Sequence, residues 1–182
     1  MTLAVLCAGA TALPTTTALG SPSPPGPHGD AEAAAGAARR ATQAQDTVDV
    51  QHVLDAFHEA VVSHDGARLA ALFLPDASTW LKVLSDGAYA RITATAPNTP
   101  RVAVGSYQDF ARFVSSSKVS LDPRHSNVRI HTDRTIAAVY FDFVFLIDGK
   151  EQNRGSETWQ LVKGSSGWRI AAITYSSDPQ TP

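Results

Sequence analysis

The side chains able to do chemistry are few and scattered. Histidines 58 and 64 fall on the first helical stretch, His64 near its apolar face and His58 at the edge of that face. Burial beside Asp65 would tune His64 as a base; the plainer reading is a surface histidine next to a helix cap. His52 and His58 stand six residues apart, not at the i, i+4 spacing that sets two ligands together on a helix. His125 and His131, also six apart, share a strand face, and no further ligand signature accompanies them. No metal site and no cofactor are therefore expected. Asp142 lies between Phe141 and Phe143. Strand alternation turns it away from the apolar face, toward a cross-strand partner. Ser165 and Ser176 lack a nucleophile elbow or a His–Asp partner, and the glycines are turn glycines, not a phosphate loop. No catalytic residue is assigned.

The aromatic residues are more informative. Phe57, Trp80, Phe141, Phe143 and Tyr175 either line a cavity for a flat apolar ligand or fill that space as core. Thr158 and Gln160 share a strand face and would give a cavity a small polar handle. Trp168, Ile170 and Ala172 set the parity of the last strand and turn Tyr175 outward, unless a bulge shifts the register. The candidate ligand-binding set is Phe57, Trp80, Phe141, Phe143, Thr158 and Tyr175.

The elements that must position these residues are legible from periodicity. Val50, Val53, Leu54, Phe57 and Val61 recur at helical spacing and give one apolar face to a helix of about 15 residues. His64-Asp65-Gly66 breaks it, and Asp65 caps a shorter helix with Leu69, Leu72 and Phe73, which Pro75 ends. Ser78–Leu84 and Ala88–Ala94 read as strands about Asp86-Gly87. Ser106 caps a third helix, with Asp109 in capping-box position and Tyr107, Phe110, Phe113 and Val114 on its apolar face. Ser115–Arg124 reads as a loop, and Val128 and Ile130 open the sheet proper. Three long antiparallel strands follow between Arg134 and Ser176. Val139, Phe141, Phe143, Phe145 and Ile147 face one way along the first of them. Asp148-Gly149 and Gly164–Gly167 supply the turns.

Length and charge bound the rest. A chain of 182 residues holds one domain with a proper core. A formal net charge of −2, with no basic run longer than Arg39-Arg40, gives no electrostatic footprint for nucleic acid. One cysteine, Cys7, permits neither an internal disulfide nor a cysteine zinc site. Met1–Gly20 resembles the later part of a secretory signal, with an apolar Leu3–Leu13 and small residues before Ser21, although no Lys or Arg precedes the apolar run. The expected location is secreted or periplasmic, with no integral membrane segment beyond the signal. Residues 21–45 read as a disordered Pro/Ala-rich linker, within which Ala31–Ala44 has helical composition but almost no large apolar residue to bury and reads as linker or frayed helix; 46–178 read as the domain and 179–182 as a tail.

The order of elements, together with Phe73-Leu74-Pro75-Asp76-Ala77, Asp148-Gly149-Lys150, Gly155-Ser156-Glu157-Thr158-Trp159 and Gly167-Trp168-Arg169-Ile170 leading to Tyr175-Ser176, resembles the nuclear transport factor 2-like superfamily, with its SnoaL-like and ketosteroid isomerase groups. The resemblance spans roughly residues 48–178. It implies an α+β fold: a cone-shaped, curved antiparallel sheet wrapped by three helices of the N-terminal half, with an apolar pocket, often dimeric through the outer face of the sheet. The ketosteroid isomerase group uses a tyrosine, an aspartate base and a protonated aspartate; aligned on Asp76-Ala77, the Gly149 turn and the helix break, this chain has Phe57, Leu81 and Thr158 there. That steroid isomerase mechanism is not expected. The leading expectation is an exported, homodimeric SnoaL-like domain whose pocket binds a small hydrophobic molecule. The alternatives are an enzyme of isomerase, hydrolase or cyclase type acting on an apolar small molecule, marked by an inward His64 or an inward carboxylate, and an interaction module using an outer face of Tyr140, Asp142, Glu157 and Trp159.

Overall fold

The structure, a computed structural model, describes residues 27–180. The expected signal segment, its cleavage site and Cys7 lie outside the described residues, as do the last two residues of the expected tail. Four helices and six strands follow in the order α1 (Pro27–Val62), α2 (Gly66–Ala70), β1 (Thr79–Leu84), α3 (Asp86–Thr95), β2 (Val102–Gly105), α4 (Tyr107–Ser116), β3 (Leu121–Thr132), β4 (Ile136–Ile147), β5 (Lys150–Gly164) and β6 (Gly167–Pro179). The strands form one curved, unclosed sheet in the order β2-β1-β6-β5-β4-β3. Every pair is antiparallel except β1 with β6, which is parallel, so the sheet is mixed rather than wholly antiparallel.

Helix α1 starts at Pro27, where a missing N–H costs nothing, and runs unbroken through the Ala-rich stretch expected to be a linker or a frayed helix. Alanine has the highest helix propensity, and the folded segment after Asp46 supplies the nucleus from which those turns propagate. The junction is pinned by Asp46, which is only 2% exposed and ion-paired with Lys163 of β5 and, at 3.6 Å, with Arg134 of the β3–β4 turn. Beyond it, Val50, Val53, Leu54, Phe57 and Val61 are all buried as their spacing requires. Helix α1 packs along β3.

Both expected caps form. Asp65 accepts the Arg68 N–H at 2.8 Å, and Ser106 accepts the Asp109 N–H at 3.1 Å while its hydroxyl donates to the Asp109 carboxylate at 2.7 Å. The stretch Ala88–Ala94 is a helix, not a strand. Ser85 caps it by accepting the Ala88 N–H at 3.1 Å, and β1 pairs with β2 and β6 instead of turning back at Asp86-Gly87. The wrapping set is thus four helices, not three. The expected loop 115–124 gives way at Leu121 to β3, whose Leu121 and Pro123 are buried. Pro123 is tolerated because β3 is an edge strand.

Three bulges decide which side chains face the helices. The Asp148-Gly149 turn, with positive φ at both residues, closes the β4–β5 hairpin as expected. One step later Gln152 bulges out of β5, between the pairs Leu146↔Glu151 and Phe145↔Asn153. Phe141 is then opposite Glu157, and Val139 opposite Trp159. In β6, Ala171 bulges between the pairs Leu161↔Ile170 and Gln160↔Ala172. Trp168 and Ile170 are buried before it; Ile173 is buried after it, and Tyr175 follows on the same face. In β3 the register shifts between Ser126 and Arg129.

Candidate active site in the cone

Inside the sheet's concave face lies a cavity of about 330 Å³. Aromatic side chains dominate it: Phe57 from α1, Trp80 from β1, Phe110 from α4, Phe143 and Phe145 from β4, Tyr175 from β6. They brace one another. Phe57 stacks on Phe110 at 6.0 Å between ring centroids, Trp80 tilts against Phe110 at 5.4 Å, and Phe143 meets Tyr175 edge-on at 5.9 Å. Gly105 sits opposite Trp80 in the β1–β2 pair, where an added Cβ would come within 3.0 Å of the indole. Gly105, Ser106 and Asp109, at the head of α4, form part of the lining, and the exposed Asp109 marks its rim.

Four of the six expected ligand-binding residues, Phe57, Trp80, Phe143 and Tyr175, line this cavity. Two do not. Phe141 is fully buried behind it, 4.5 Å from the His125 ring and 5.2 Å from Trp159, so it is core. Thr158 is exposed on the opposite face of the sheet, across from Tyr140. The Gln152 bulge is the reason. A hairpin running straight from the Gly149 turn places Thr158 inward and its neighbours outward; one extra residue exchanges them. For the same reason Glu157 and Trp159 are not on the outer face. Trp159 is fully buried, and Glu157 lines the cavity. Tyr175 is turned inward by the Ala171 bulge and pairs directly with Glu157.

Glu157 is the carboxyl that sequence reasoning placed on the wrong side. Burial pushes its pKa up from the usual range to about 7, and the Trp159 indole N–H, donating at 2.6 Å, offsets part of that rise. Spacing along the sequence weighs His125 only as a metal ligand beside His131. The β3 bulge separates the two: His125 pairs with Phe143 on the inner face and His131 with Ala138 on the outer. Burial lowers His125 to about 4, with further lowering by His58 and opposition from Asp55 and Asp122. It is a neutral imidazole at neutral pH. Trp159 is the neighbour common to both groups, its ring 6.2 Å from His125 and its N–H on Glu157. Burial also raises the Tyr175 phenol, against a hydrogen bond with the Trp80 indole; the charge of Glu157 adds to the rise.

Other expected residues lie elsewhere. His64 is engaged away from the cavity, its Nδ1 3.0 Å from the Ser117 carbonyl oxygen, so Nδ1–H donates there. Asp142 faces outward as expected and accepts from Asn127 and Ser156, each at 2.8 Å. Those two donors hold its carboxyl below the usual range. Leu81 is not among the lining residues. Among the described residues no Lys or Arg lines the cavity. Among the described residues no group of three His, Cys, Asp or Glu side chains is placed to hold a metal ion, and no helix is long and apolar enough to cross a membrane.

This architecture recurs in solved structures. An NTF2-like protein with a cystatin-like fold from Novosphingobium aromaticivorans matches 76% of this chain and 86% of its own at 11% identity, with a TM-score of 0.56. The fold is nuclear transport factor 2-like. A "Putative Scytalone Dehydratase" from Novosphingobium aromaticivorans aligns with a TM-score of 0.59 at 16% identity, covering 78% of this chain and 90% of its own. A "putative dehydratase from the NTF2-like family" of Streptomyces avermitilis gives 0.54 at 16% identity, covering 77% and 99%. No family model and no curated protein matches the sequence. At these identities the domain shares a scaffold with its neighbours, and its chemistry has to be argued from its own site.

Proposed function

We propose that this nuclear transport factor 2-like domain is an enzyme that moves protons within a small, flat, uncharged molecule carrying an oxygen function, as a dehydrating lyase or an isomerase. The carrying observation is a pair of groups with displaced pKa values facing one apolar cavity: Glu157, raised to about 7, and His125, lowered to about 4. Between those values the carboxyl holds a proton to give and the imidazole is free to take one. His125 is the base toward an activated C–H. Glu157 donates to the substrate oxygen, either protonating a leaving hydroxyl or stabilising a developing enolate. The phenol of Tyr175, opposite Glu157, is a second donor to that oxygen. The resemblance to ketosteroid isomerases assigns a protonated acid to the strand after the hairpin, and Glu157, one residue before Thr158, supplies such an acid on the inner face.

The aromatic walls suit a planar ring system, and a lining with Glu157 and Asp109 but no cation disfavours carboxylates and phosphates. The names of the two dehydratase neighbours agree with a lyase but do not carry the reading. The assay is hydrogen–deuterium exchange: neutral cyclic ketones and hydroxyketones are incubated with the protein in deuterated buffer and followed by mass spectrometry. Catalysed exchange or water loss, reduced about 100-fold or more in both His125→Gln and Glu157→Gln, is expected. Ligands that bind but exchange no faster with protein than without would make the domain a binding module for small hydrophobic molecules. Export and homodimer formation remain part of the proposed biology, tested by secretion of the full chain and by its mass in solution.

A further inference from the structure

His125 has a second exposure. Its ring forms part of the cavity wall and also part of a separate groove on the outer side, between α1 and β3, together with Asp55, His58, Glu59 and Arg124. Neither of its nitrogens is hydrogen-bonded to another described residue. His58 stands beside it, the two rings edge to face with centroids 6.4 Å apart, a spacing that one water molecule spans. His58 Nδ1 lies 2.8 Å from the Pro123 carbonyl oxygen. A carbonyl can only accept, so Nδ1 carries the proton and neutral His58 is left with a bare Nε2, a ready acceptor.

We propose that His58 is the proton-exchange residue of the site, connecting His125 to solvent through the α1–β3 groove rather than through the cavity mouth. The inference rests on the reading of His125 as the base. In each cycle His125 takes one proton from the substrate on one ring nitrogen and gives up the proton of its other nitrogen, through one water, to Nε2 of His58. The resulting His58 imidazolium keeps its Nδ1–H on Pro123 and releases the Nε2 proton to groove water, leaving both rings neutral, and a flip of the His125 ring returns its bare nitrogen to the cavity. Glu157 regains the proton it gave from water entering by the mouth. Among the charges around the pair, Asp55 of α1 and Asp122 of β3 favour a proton on His125, Glu59 of α1 is paired with Arg68 at 2.6 Å, and Arg124 of β3, paired with Asp122 at 2.8 Å, is the opposing charge.

The test needs no substrate. In the full chain labelled with ¹⁵N-histidine, NMR reads the tautomer of His58 and the rate at which the His125 ring N–H exchanges with water. The expected results are an Nδ1–H tautomer for His58 and exchange at His125 at least about tenfold slower in His58→Gln, whose amide can still donate to Pro123. Exchange unchanged in His58→Gln overturns the proposal. Should that variant not fold, the tautomer in the unaltered protein decides: an Nε2–H tautomer removes the acceptor and the route with it. A purely structural His58 would change melting temperature without changing exchange. Because turnover is not the readout, this proposal can fail while the acid–base assignment stands, and the reverse.

Discussion

Glu157 and His125 titrate in opposite senses, and each leaves a mark on stability that can be read without a substrate. Folded His125 refuses its proton down to about pH 4, whereas the unfolded chain binds one at 6.5. Its contribution is therefore fully present above 6.5 and is lost as pH falls toward 4, on the order of 3 kcal/mol across the window. Folded Glu157 keeps its proton to about 7, whereas the unfolded chain releases it at 4.5. Its contribution is fully present below 4.5 and is lost as pH rises through 7, by a similar order of magnitude. From 4.5 to 6.5 the two slopes cancel. Urea unfolding across this range should show it: relative to the unaltered protein, Glu157→Gln gains stability as pH rises, and His125→Gln loses it. The same pair predicts a bell-shaped pH dependence of kcat/KM with limbs near 4 and 7. A single rising limb near 7 would instead make ionised Glu157 the base.

At the scale of the element, bulges and close approaches build the site. Gly155 lies where β6 crosses β5 so closely that a Cβ would fall 2.1 Å from the Ser176 carbonyl oxygen. Backbone cannot step aside as a flexible side chain can, so Gly155→Ala should cost about 2–3 kcal/mol in chemical denaturation and displace Tyr175 and Glu157 from their pairing. Near-neutral stability would show that the two strands are less tightly apposed. Asp46 plays an anchoring part for α1. Asp46→Ala leaves Lys163 and Arg134, both partly solvated, without their carboxylate, and should cost roughly 1–3 kcal/mol. Sequence reading reached the elements with strong periodicity or explicit caps: the apolar face of α1, the Asp65 and Ser106 caps, the Gly149 hairpin, the alternation of β4. It failed where the deciding feature was one unpaired residue. Gln152 carries no mark of a bulge, and without it Thr158 and Glu157 exchange faces. The signal that was available lay in Trp159 and Leu161, two large apolar residues whose parity turns Glu157 inward with them. Ala88–Ala94 misled through its turn-like Asp86-Gly87, although Ser85 and the alanines are equally a capped helix.

For the whole molecule, the fold places one buried acid, Glu157, and one neutral base, His125, in an aromatic-walled cavity between the helices and the sheet, with Asp109 at its rim. A planar neutral ligand entering it should quench or shift Trp80 fluorescence and raise the melting temperature, while its carboxylate analogue does neither. An anionic ligand binding as tightly would remove the charge argument that selects the substrate class. The central claim is the protonation state of Glu157 within that chamber. Its most direct test is a ¹³C NMR titration of the glutamate side-chain carboxyls, with the Glu157 signal assigned by its disappearance in Glu157→Gln. The account predicts a midpoint near 7 for this one carboxyl. A midpoint in the ordinary range around 4.5 would mean a solvated carboxylate, and the acid half of the proposed chemistry would be gone.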